Sequence, residues 1–498
     1  MKKLSIIFLS LILVIGMLSL SGAKTPKDTL VVAMRSAPPT LDPHIQDTIP
    51  TWSQLATVYE RLVTFDAKGK MQNELMTDWE LVDPLTWKIY LRKGVKFHNG
   101  EPFTSNAVKV TIEKYVDPTL KTPQNNPWKK NLDRVEIVDD HTLLIRTKTQ
   151  VRPMLNWFVA LNIISPKANE ELGNKLGVMA VGTGPYKFAE YIPNDRFVLE
   201  ANPEYWGEKP KLKRIVFRVI PEDSSRLAAL EAGEIDMMTE VSPDHVGRIQ
   251  SNPNLKLIST DTVRVLYIRL RENRKPLDDV RVRRALNYAV NKKEIVKYLL
   301  RGMGAAPTAP LHPLLMGYNP NLTSYEYNPA KAKELLAEAG YPNGFKLTYS
   351  STHGRYIKDK QIAEAIVGQL KKVGITCEYK PLEIGTMVSQ DLFGDTHDMY
   401  SLAFGGILWD PDLPLSFFHN VLKYNNPEYV KFIEIGRTNQ DKKVYEKAYQ
   451  DALAVMWNDA PMLWVSYHPQ IIGIQKGVKG FKPRADELVI LNNVWKSE

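Results

Sequence analysis

Several features that mark other kinds of protein are missing from this sequence of 498 residues. It has one cysteine, Cys377, so no intramolecular disulfide can form and the fold must rely on its apolar core. No block of five or more like charges occurs, and the net charge of +9 is small for this length, so a nucleic-acid arm or a polybasic membrane tail is not expected. Gly/Ser linkers, low-complexity tracts and internal repeats are absent, which predicts interwoven lobes.

Signatures of catalysis and of metal binding are also lacking. There is no Gly-x-Ser-x-Gly elbow, and GTGPY at 182–186 lacks the third glycine of a dinucleotide loop and the Gly-Lys-Ser/Thr of a P-loop. Cys377 alternates with Ile375 and Tyr379, which favours a packed strand thiol over a nucleophile. No two of the nine histidines are spaced i, i+4, so no metal site and no cofactor are expected. Four scattered histidines could still meet around a metal complex, namely His44, His98, His353 and His419.

The amino terminus carries the only long apolar run. Two lysines precede an apolar stretch over residues 4–20, which ends in the small residues SGA at 21–23. This pattern is typical of a signal peptide at residues 1–23, cleaved after Ala23, and an uncleaved anchor is the alternative. No cysteine follows the run, so no lipoprotein anchor is predicted. We therefore expect the mature chain, from Lys24 onward, to be free outside the cytoplasm.

The two halves of the mature chain differ in pattern. In the first half, an apolar run at 29–33 predicts a buried strand, and alternating residues with tight turns between about 79 and 199 predict antiparallel sheet around a helix near 105–115. In the second half, capping patterns predict helix starts at Asp278-Asp279, Asn291 and Asn328. A strand at 345–349, a helix and a strand at 375–379 then follow in the order of a parallel pair with a crossover helix. A further strand is predicted at 399–404, and the fold class is α/β.

Three loops that follow predicted strands carry polar chemistry. In open α/β sheets, ligands bind beyond the carboxyl ends of the strands, which here are followed by the loops 35–44, 351–358 and 405–413. The candidate binding residues in these loops are His44, Arg355, Tyr356, Gly405, Gly406, Trp409, Asp410 and Asp412. Arg355 can hold a carboxylate through two N–H donors, either aspartate can pair with an ammonium group or hydroxyls, and Trp409 offers a stacking face.

Six motifs occur in a fixed order along the chain. They are LDPH at 41–44, VYERL at 58–62, LRKGVKFHNGEPFT at 91–104, GTGPY at 182–186, NPEYW at 202–206 and DDVRVRRAL at 278–286. In this order they resemble the signatures of the family 5 extracellular solute-binding proteins, which are the dipeptide-, oligopeptide- and nickel-type receptors of ABC importers. The resemblance covers about residues 29–493.

This resemblance implies a two-lobed periplasmic binding protein fold of type II, with an extra and mostly antiparallel subdomain in the first lobe. Lobe I would contain residues 24–268, with the extra subdomain at about 67–195, lobe II would contain residues 269–468, and residues 469–498 would return to lobe I. The chain would cross between the lobes near 265–272 and 465–472. Closure about these crossings would bury the solute, and a membrane permease would then recognise the closed receptor.

The resemblance also implies how a ligand is held. In peptide-binding members, an extended peptide lies between the lobes like an added strand, and the aspartate of a Gly-Trp-x-x-Asp loop binds its amino terminus. Gly406 and Asp410 have this spacing, but Ile407 stands in the tryptophan position. We expect a monomeric receptor for a small solute. A dipeptide or oligopeptide is favoured, and an oligosaccharide or a metal complex is the alternative.

A secreted carbohydrate-active hydrolase is the alternative from another class of protein. Ten tryptophans could stack sugars, and Asp410 with Asp412 could supply acid–base chemistry. Residues two apart on a short loop point in different directions, however, whereas such enzymes usually take opposed carboxylates from separate strands. A non-catalytic scaffold without a deep cleft is the third alternative. We therefore predict a solute receptor that is not an enzyme.

Overall fold

The structure, a computed structural model, describes residues 24–45, 48–120, 126–405 and 408–497. The predicted signal peptide and the candidate residue Gly406 lie outside these ranges. Within them, no helix has the length and apolar character needed to cross a bilayer.

The strands and helices are as follows. The strands are β1 (Thr29–Met34), β2 (Val63–Phe65), β3 (Met71–Asn73), β4 (Met76–Asp83), β5 (Thr86–Leu91), β6 (Leu132–Asp139), β7 (Thr142–Thr147), β8 (Tyr186–Ile192), β9 (Arg196–Ala201), β10 (Arg214–Val219), β11 (Met237–Met238), β12 (Leu255–Leu270), β13 (Phe345–Thr352), β14 (Ile375–Leu382), β15 (Met399–Phe404), β16 (Met462–Gln475), β17 (Val478–Lys479) and β18 (Trp495–Lys496). The α-helices are α1 (Ile49–Leu55), α2 (Ser105–Val116), α3 (Asn126–Asn131), α4 (Met154–Trp157), α5 (Pro166–Leu172), α6 (Asp223–Ala232), α7 (Val246–Ser251), α8 (Val280–Ala289), α9 (Lys292–Tyr298), α10 (Pro329–Glu338), α11 (Asp359–Lys371), α12 (Ile384–Met387), α13 (Asp412–Asn420), α14 (Pro427–Thr438) and α15 (Lys442–Asp459).

One large mixed sheet organises the molecule. Its ten strands lie in the order β14-β13-β15-β12-β16-β11-β1-β10-β9-β8. β13 and β14 run parallel with α11 between them in the chain, which confirms the predicted strand–helix–strand unit. β1 pairs in parallel with β10 on one side and with β11 on the other. The predicted strand at 399–404 is β15, which lies between β13 and β12, so the α/β class is confirmed.

Two long strands, β12 and β16, join the two ends of this sheet. They pair antiparallel with each other, from Leu255 opposite Gln475 to Arg269 opposite Met462. At one end of the pair β16 also bonds β11, and at the other end β12 also bonds β15. The register between the two strands shifts between Asp261 and Val265. The chain thus passes between the β8–β11 side and the β13–β15 side of the sheet along these two strands.

The predicted antiparallel region is divided between two sheets. β4, β5, β7 and β6 form a separate four-stranded antiparallel sheet, and α2 lies where the sequence predicts a helix. β8 and β9 instead join the large sheet, because β9 pairs antiparallel with β10. The rings of Phe197 and Phe217 stack across this pair at 6.0 Å. Alternation of apolar residues predicts strands but carries no information on which sheet a hairpin joins.

The three predicted helix starts are confirmed by their caps. The side chain of Asp279 accepts a hydrogen bond from Arg281 N at 2.8 Å, and α8 follows directly. Asn291 caps α9 and Asn328 caps α10 in the same way. A side-chain oxygen at this position satisfies one of the N–H groups that a helix leaves unbonded at its start.

One apolar cluster links the antiparallel sheet to the helices that follow residue 411. It contains Trp87 and Trp157 from the antiparallel region, and Phe418 and Trp464 from α13 and β16. The three tryptophans and the phenylalanine are each at most 3% exposed. These distant parts of the chain therefore pack against each other in this conformation.

Candidate functional site

A cleft lies at the carboxyl ends of β1, β13 and β15. Its main part is a cavity of about 680 Å³, lined by residues from α1, α3, the end of β15 and α13. A smaller cavity of about 80 Å³ shares Ile49, Arg264, Arg355 and Tyr356 with it and reaches Met34 at the end of β1. We use "the cleft" for these two cavities together. A volume of several hundred Å³ suits a small ligand such as a short peptide.

Four of the predicted site residues line the larger cavity, namely Arg355, Tyr356, Gly405 and Asp412. Arg355 and Tyr356 lie on the loop after β13, and Gly405 directly follows β15. Both positions are at strand ends, where the rule for open α/β sheets places ligands.

The loop that carries Arg355 and Tyr356 is fixed by one buried carboxylate. Asp359, which is 5% exposed, accepts hydrogen bonds from the backbone N–H of Gly354 (3.0 Å), Arg355 (2.8 Å) and Tyr356 (3.1 Å). The guanidinium carbons of Arg355 and Arg264 lie 5.6 and 5.7 Å from the Tyr356 ring centroid. Tyr356 therefore holds two cationic groups next to the cavity through its ring face.

Asp412 lines the cavity but its charge is compensated. Its Oδ1 accepts a hydrogen bond from Arg437 Nε at 3.0 Å. Burial by itself would lower the pKa of Arg437, but the neighbouring Asp412 and Glu434 carboxylates raise the pKa above its ordinary value. Arg437 is therefore charged, and Asp412 has one strong partner before any solute arrives.

Asp410 lies outside the cleft in a buried ion pair. Arg152 Nη2 is 2.8 Å from both carboxylate oxygens, and the side chains of Asp410 and Arg152 are 2% and 8% exposed respectively. Arg152 also donates to Gly436 O at 2.9 Å and to the Tyr449 hydroxyl at 3.1 Å. Burial would lower the pKa of Arg152, but Asp410 and Tyr449 raise it. Asp410 thus holds a guanidinium of this chain in the position where an ammonium anchor was expected.

Trp409 and His44 are core residues and do not line either cavity. Trp409 is 8% exposed, and its Nε1 donates to Asp486 at 3.3 Å. Its ring covers Gly69, where a Cβ atom would come within 2.4 Å of the indole. His44 is 1% exposed and its Nε2 lies 2.8 Å from Asn162 O. Burial lowers the pKa of His44 to about 4, so the ring is neutral. Both side chains therefore belong to the packed interior and not to the wall of the cleft.

Several residues that line the cleft were not identified from the sequence. Lys129 and Lys130 lie on α3, and Arg264 lies at the register shift of β12. Arg264 Nε bonds both oxygens of Glu487, at 2.7 and 2.9 Å, from 223 positions away. The sequence offers only an adjacent lysine pair at α3, and surface helices often carry such pairs. Their position in the cleft depends on how distant segments pack.

The side chains considered for catalysis, Asp410, Asp412 and Cys377, are held in ways that do not suit it. Asp410 and Asp412 each pair with an arginine, so they cannot serve as the opposed carboxylates of a glycosidase. Burial raises the pKa of the Cys377 thiol to about 12, which rules against a nucleophile. In the described part of the chain, no group of three His, Cys, Asp or Glu side chains could hold a metal ion.

Comparison with known proteins identifies the family. Residues 70–426 match the family described as Bacterial extracellular solute-binding proteins, family 5 Middle. The glutathione-binding protein GsiB of Pectobacterium atrosepticum is 29% identical over 481 residues, which cover 92% of each protein.

Solved structures show the same fold. The periplasmic binding protein DppA from Helicobacter pylori, in complex with the peptide STSA, has a TM-score of 0.85 at 27% identity and covers 94% of this chain and 98% of its own. NikZ from Campylobacter jejuni, in complex with Ni(L-His), has a TM-score of 0.84 at 21% identity and covers 95% of this chain and 100% of its own.

The fold expected from the six motifs is therefore confirmed, since the structure matches two-lobed periplasmic binding proteins over nearly its whole length. The hydrolase alternative has no support from the relatives or from the site. The family match spans more than half of the chain. The chain belongs to the family 5 bacterial extracellular solute-binding proteins and is the solute receptor of an ABC importer, not an enzyme.

Proposed function

We propose that this receptor captures a peptide-like solute that carries a carboxylate group and that lies in the cleft. The observation that carries this proposal is the position of Arg355. Its side chain lines both cavities and has no acidic partner among the residues that the structure describes. An unpaired guanidinium is a preferred partner for a carboxylate because two parallel N–H donors match two oxygens. One relative is a glutathione-binding protein and another was solved in complex with the peptide STSA, which supports a peptide-like solute.

The proposed contact residues are Arg355, Tyr356, Gly405 and Asp412, which line the larger cavity. Gly405 lies beside Arg264, whose Nη2 would be 3.2 Å from a Cβ atom at this position. A side chain at residue 405 would therefore require the Arg264 guanidinium to shift by a few tenths of an ångström.

We also propose that the lobes close about β12 and β16. The register shift between Asp261 and Val265 supports this, because a break in the ladder leaves that point less constrained. His468 on β16 places its Nε2 at 3.2 Å from Ile357 O, on the loop that carries Arg355. Movement of β12 and β16 would therefore also move the loop that carries Arg355.

The remaining assignments follow from the family and are proposals. We propose export to the periplasm, a monomeric receptor and delivery to the permease subunits of an ABC importer. The proposed division keeps lobe I at 24–268 plus 469–498 and lobe II at 269–468. The extra subdomain was expected to end at about residue 195. Strand pairing supports an earlier end, before Tyr186, because β8 begins there and belongs to the large sheet.

A thermal-shift screen of the mature protein tests this function. The screen contains dipeptides, longer peptides, glutathione, oligosaccharides and Ni(L-His). We expect a peptide-like compound to stabilise the protein, by about 2.7 kcal/mol at a hundredfold excess over its Kd. Arg355→Gln should weaken binding of that compound at least tenfold, and it should leave the melting temperature of the free protein unchanged. Stabilisation by sugars or the nickel complex alone would contradict the proposal.

A further inference from the structure

Every carboxylate that lines the cleft within the described residues already faces an arginine. Asp412 accepts from Arg437 at 3.0 Å, and Glu487 accepts from Arg264 at 2.7 Å. Glu240, at the smaller cavity, lies 3.9 Å from Arg35 Nε. None of these carboxylates is left with a full uncompensated charge for a cationic group of a solute.

Three cations of the cleft are not compensated in this way. Lys129, Lys130 and Arg355 line the larger cavity, and none of them is within ion-pair distance of a carboxylate in the described part of the chain. Lys129 Nζ donates to the backbone oxygen of Leu120 at 2.6 Å. This hydrogen bond satisfies one N–H donor but does not neutralise the charge of the ammonium group. Lys130 is exposed at the cavity wall formed by α3. The cleft therefore carries an excess of positive charge.

The expected anchor for a cationic amino terminus is also closed off. Asp410 is buried against Arg152, with 2.8 Å between Nη2 and each carboxylate oxygen. A solute ammonium group could reach Asp410 only by displacing a buried guanidinium with further bonds to Gly436 O and Tyr449. Leaving that guanidinium unpaired would be costly.

From this charge pattern we propose that the cleft selects peptide-like solutes with net negative charge and does not require a free amino group. One carboxylate binds Arg355 on the loop after β13, and a second acidic group faces Lys130 on α3. The excess positive charge of the cavity favours such a solute and disfavours a cationic one. This inference rests on the proposed function, whose solute class it makes narrower.

Matched peptides test the charge selectivity. The panel is Ala-Glu, Ala-Gln and Ala-Lys with the corresponding tripeptides extended by alanine, each in free and N-acetylated form, measured by titration calorimetry. We expect the glutamate peptides to bind at least tenfold tighter than the lysine peptides, and N-acetylation to change their Kd less than threefold. Preferred binding of glutamine or lysine peptides would overturn the inference but leave the peptide receptor intact. A tenfold loss on acetylation would overturn the statement about the amino group. Binding of no peptide would contradict both proposals.

One variant, with a matched control, tests the second acidic contact. Lys130→Gln should weaken the binding of Ala-Glu or its tripeptide at least fivefold. It should change the Kd of the matching glutamine peptide less than twofold. The control is Lys93→Gln. Lys93 is an exposed residue of the same subdomain and does not line the cleft, so this variant should change the affinity for neither peptide. An equal loss for acidic and neutral peptides in Lys130→Gln would show that this residue supports the shape of the cleft and does not read charge.

Discussion

Asp410 and Arg152 are 258 positions apart in the chain, yet their side chains are buried against each other. A buried pair of this kind contributes little compared with an apolar replacement, but removing one partner leaves the other charge uncompensated. This pair therefore makes Asp410 a residue on which folding depends, whether or not a solute is bound.

Replacement of Asp410 by alanine should lower the free energy of unfolding by about 3–5 kcal/mol, because Arg152 stays buried without its partner. Urea denaturation measures this loss. The double variant Arg152→Met/Asp410→Leu should recover most of it, since both charges are gone. Asp451→Ala, in the exposed ion pair with Lys447, is the control and should cost less than about 1 kcal/mol. Equal losses for Asp410→Ala and Asp451→Ala would contradict the account.

His98 shows how a single histidine can make stability depend on pH. Its Nδ1 accepts a hydrogen bond from Gly182 N at 3.3 Å, so its Nε2 carries the proton and donates to Gly184 O at 2.9 Å. Burial lowers its pKa to about 4 from an ordinary value of 6.5. As the pH falls from 6.5 to 4, the unfolded chain takes up a proton that the folded protein excludes, and stability is lost.

The stability contributed by neutral His98 should be fully present above pH 6.5 and should decrease by up to about 3 kcal/mol as the pH approaches 4. Urea unfolding at a series of pH values measures this slope. The variant His98→Gln should show a shallower slope, by one proton, because glutamine does not titrate. If the slope of this variant equals that of the unmodified protein, His98 does not exclude a proton in the folded state.

At the scale of elements, the start of α11 and the loop before it act as one unit. Three N–H groups of the loop converge on the Asp359 carboxylate, which also accepts from the Thr352 hydroxyl at 2.8 Å. The backbone of Arg355 and Tyr356 is held beside the cleft by this buried carboxylate.

Asp359→Ala should therefore weaken solute binding more than tenfold and should lower the free energy of unfolding by about 1–3 kcal/mol, since buried N–H groups lose their acceptor. Calorimetric titration and urea denaturation separate the two effects. Asp279→Ala is the matched control. It removes the cap of α8, which should cost about 1 kcal/mol of stability, and should leave binding unchanged because Asp279 does not line the cleft. Loss of stability without loss of binding in Asp359→Ala would contradict the proposed role of the loop.

Local patterns predicted the elements well where the physical cause is local. The caps of α8, α9 and α10 and the β13–α11–β14 unit depend on residues within a few positions of each other, so the sequence carries them directly. The assignment of β8 and β9 to the large sheet depends on pairing with β10, which no local pattern encodes.

The candidate site was predicted in part for the same reason. Arg355 and Tyr356 follow a strand end and lie in the cleft, as the general rule for open α/β sheets states. Trp409 and His44 also follow strand ends but pack into the core. The charge state of the site depends on pairs such as Arg264 with Glu487, which lie 223 positions apart and have no sequence signal.

At the scale of the whole molecule, the antiparallel subdomain contacts parts of the chain that lie outside the proposed lobe I. Its α3 forms one wall of the larger cavity, and its Arg152 bonds the loop that follows β15 and the end of α14. The apolar cluster that contains Trp87 and Trp464 spans the same boundary. The proposed closure of the cleft would therefore involve this subdomain as well as the two lobes.

The central claim is that this protein binds an acidic, peptide-like solute in the cleft and releases it chemically unchanged. Native mass spectrometry of the mature protein, mixed with the peptide panel, tests this claim most directly when the unmodified protein and Arg355→Gln are compared. The account predicts an adduct with the intact mass of a glutamate-containing peptide, and at least tenfold less of this adduct in Arg355→Gln. Cleavage of the peptide, or an adduct of equal abundance in both proteins, would contradict it.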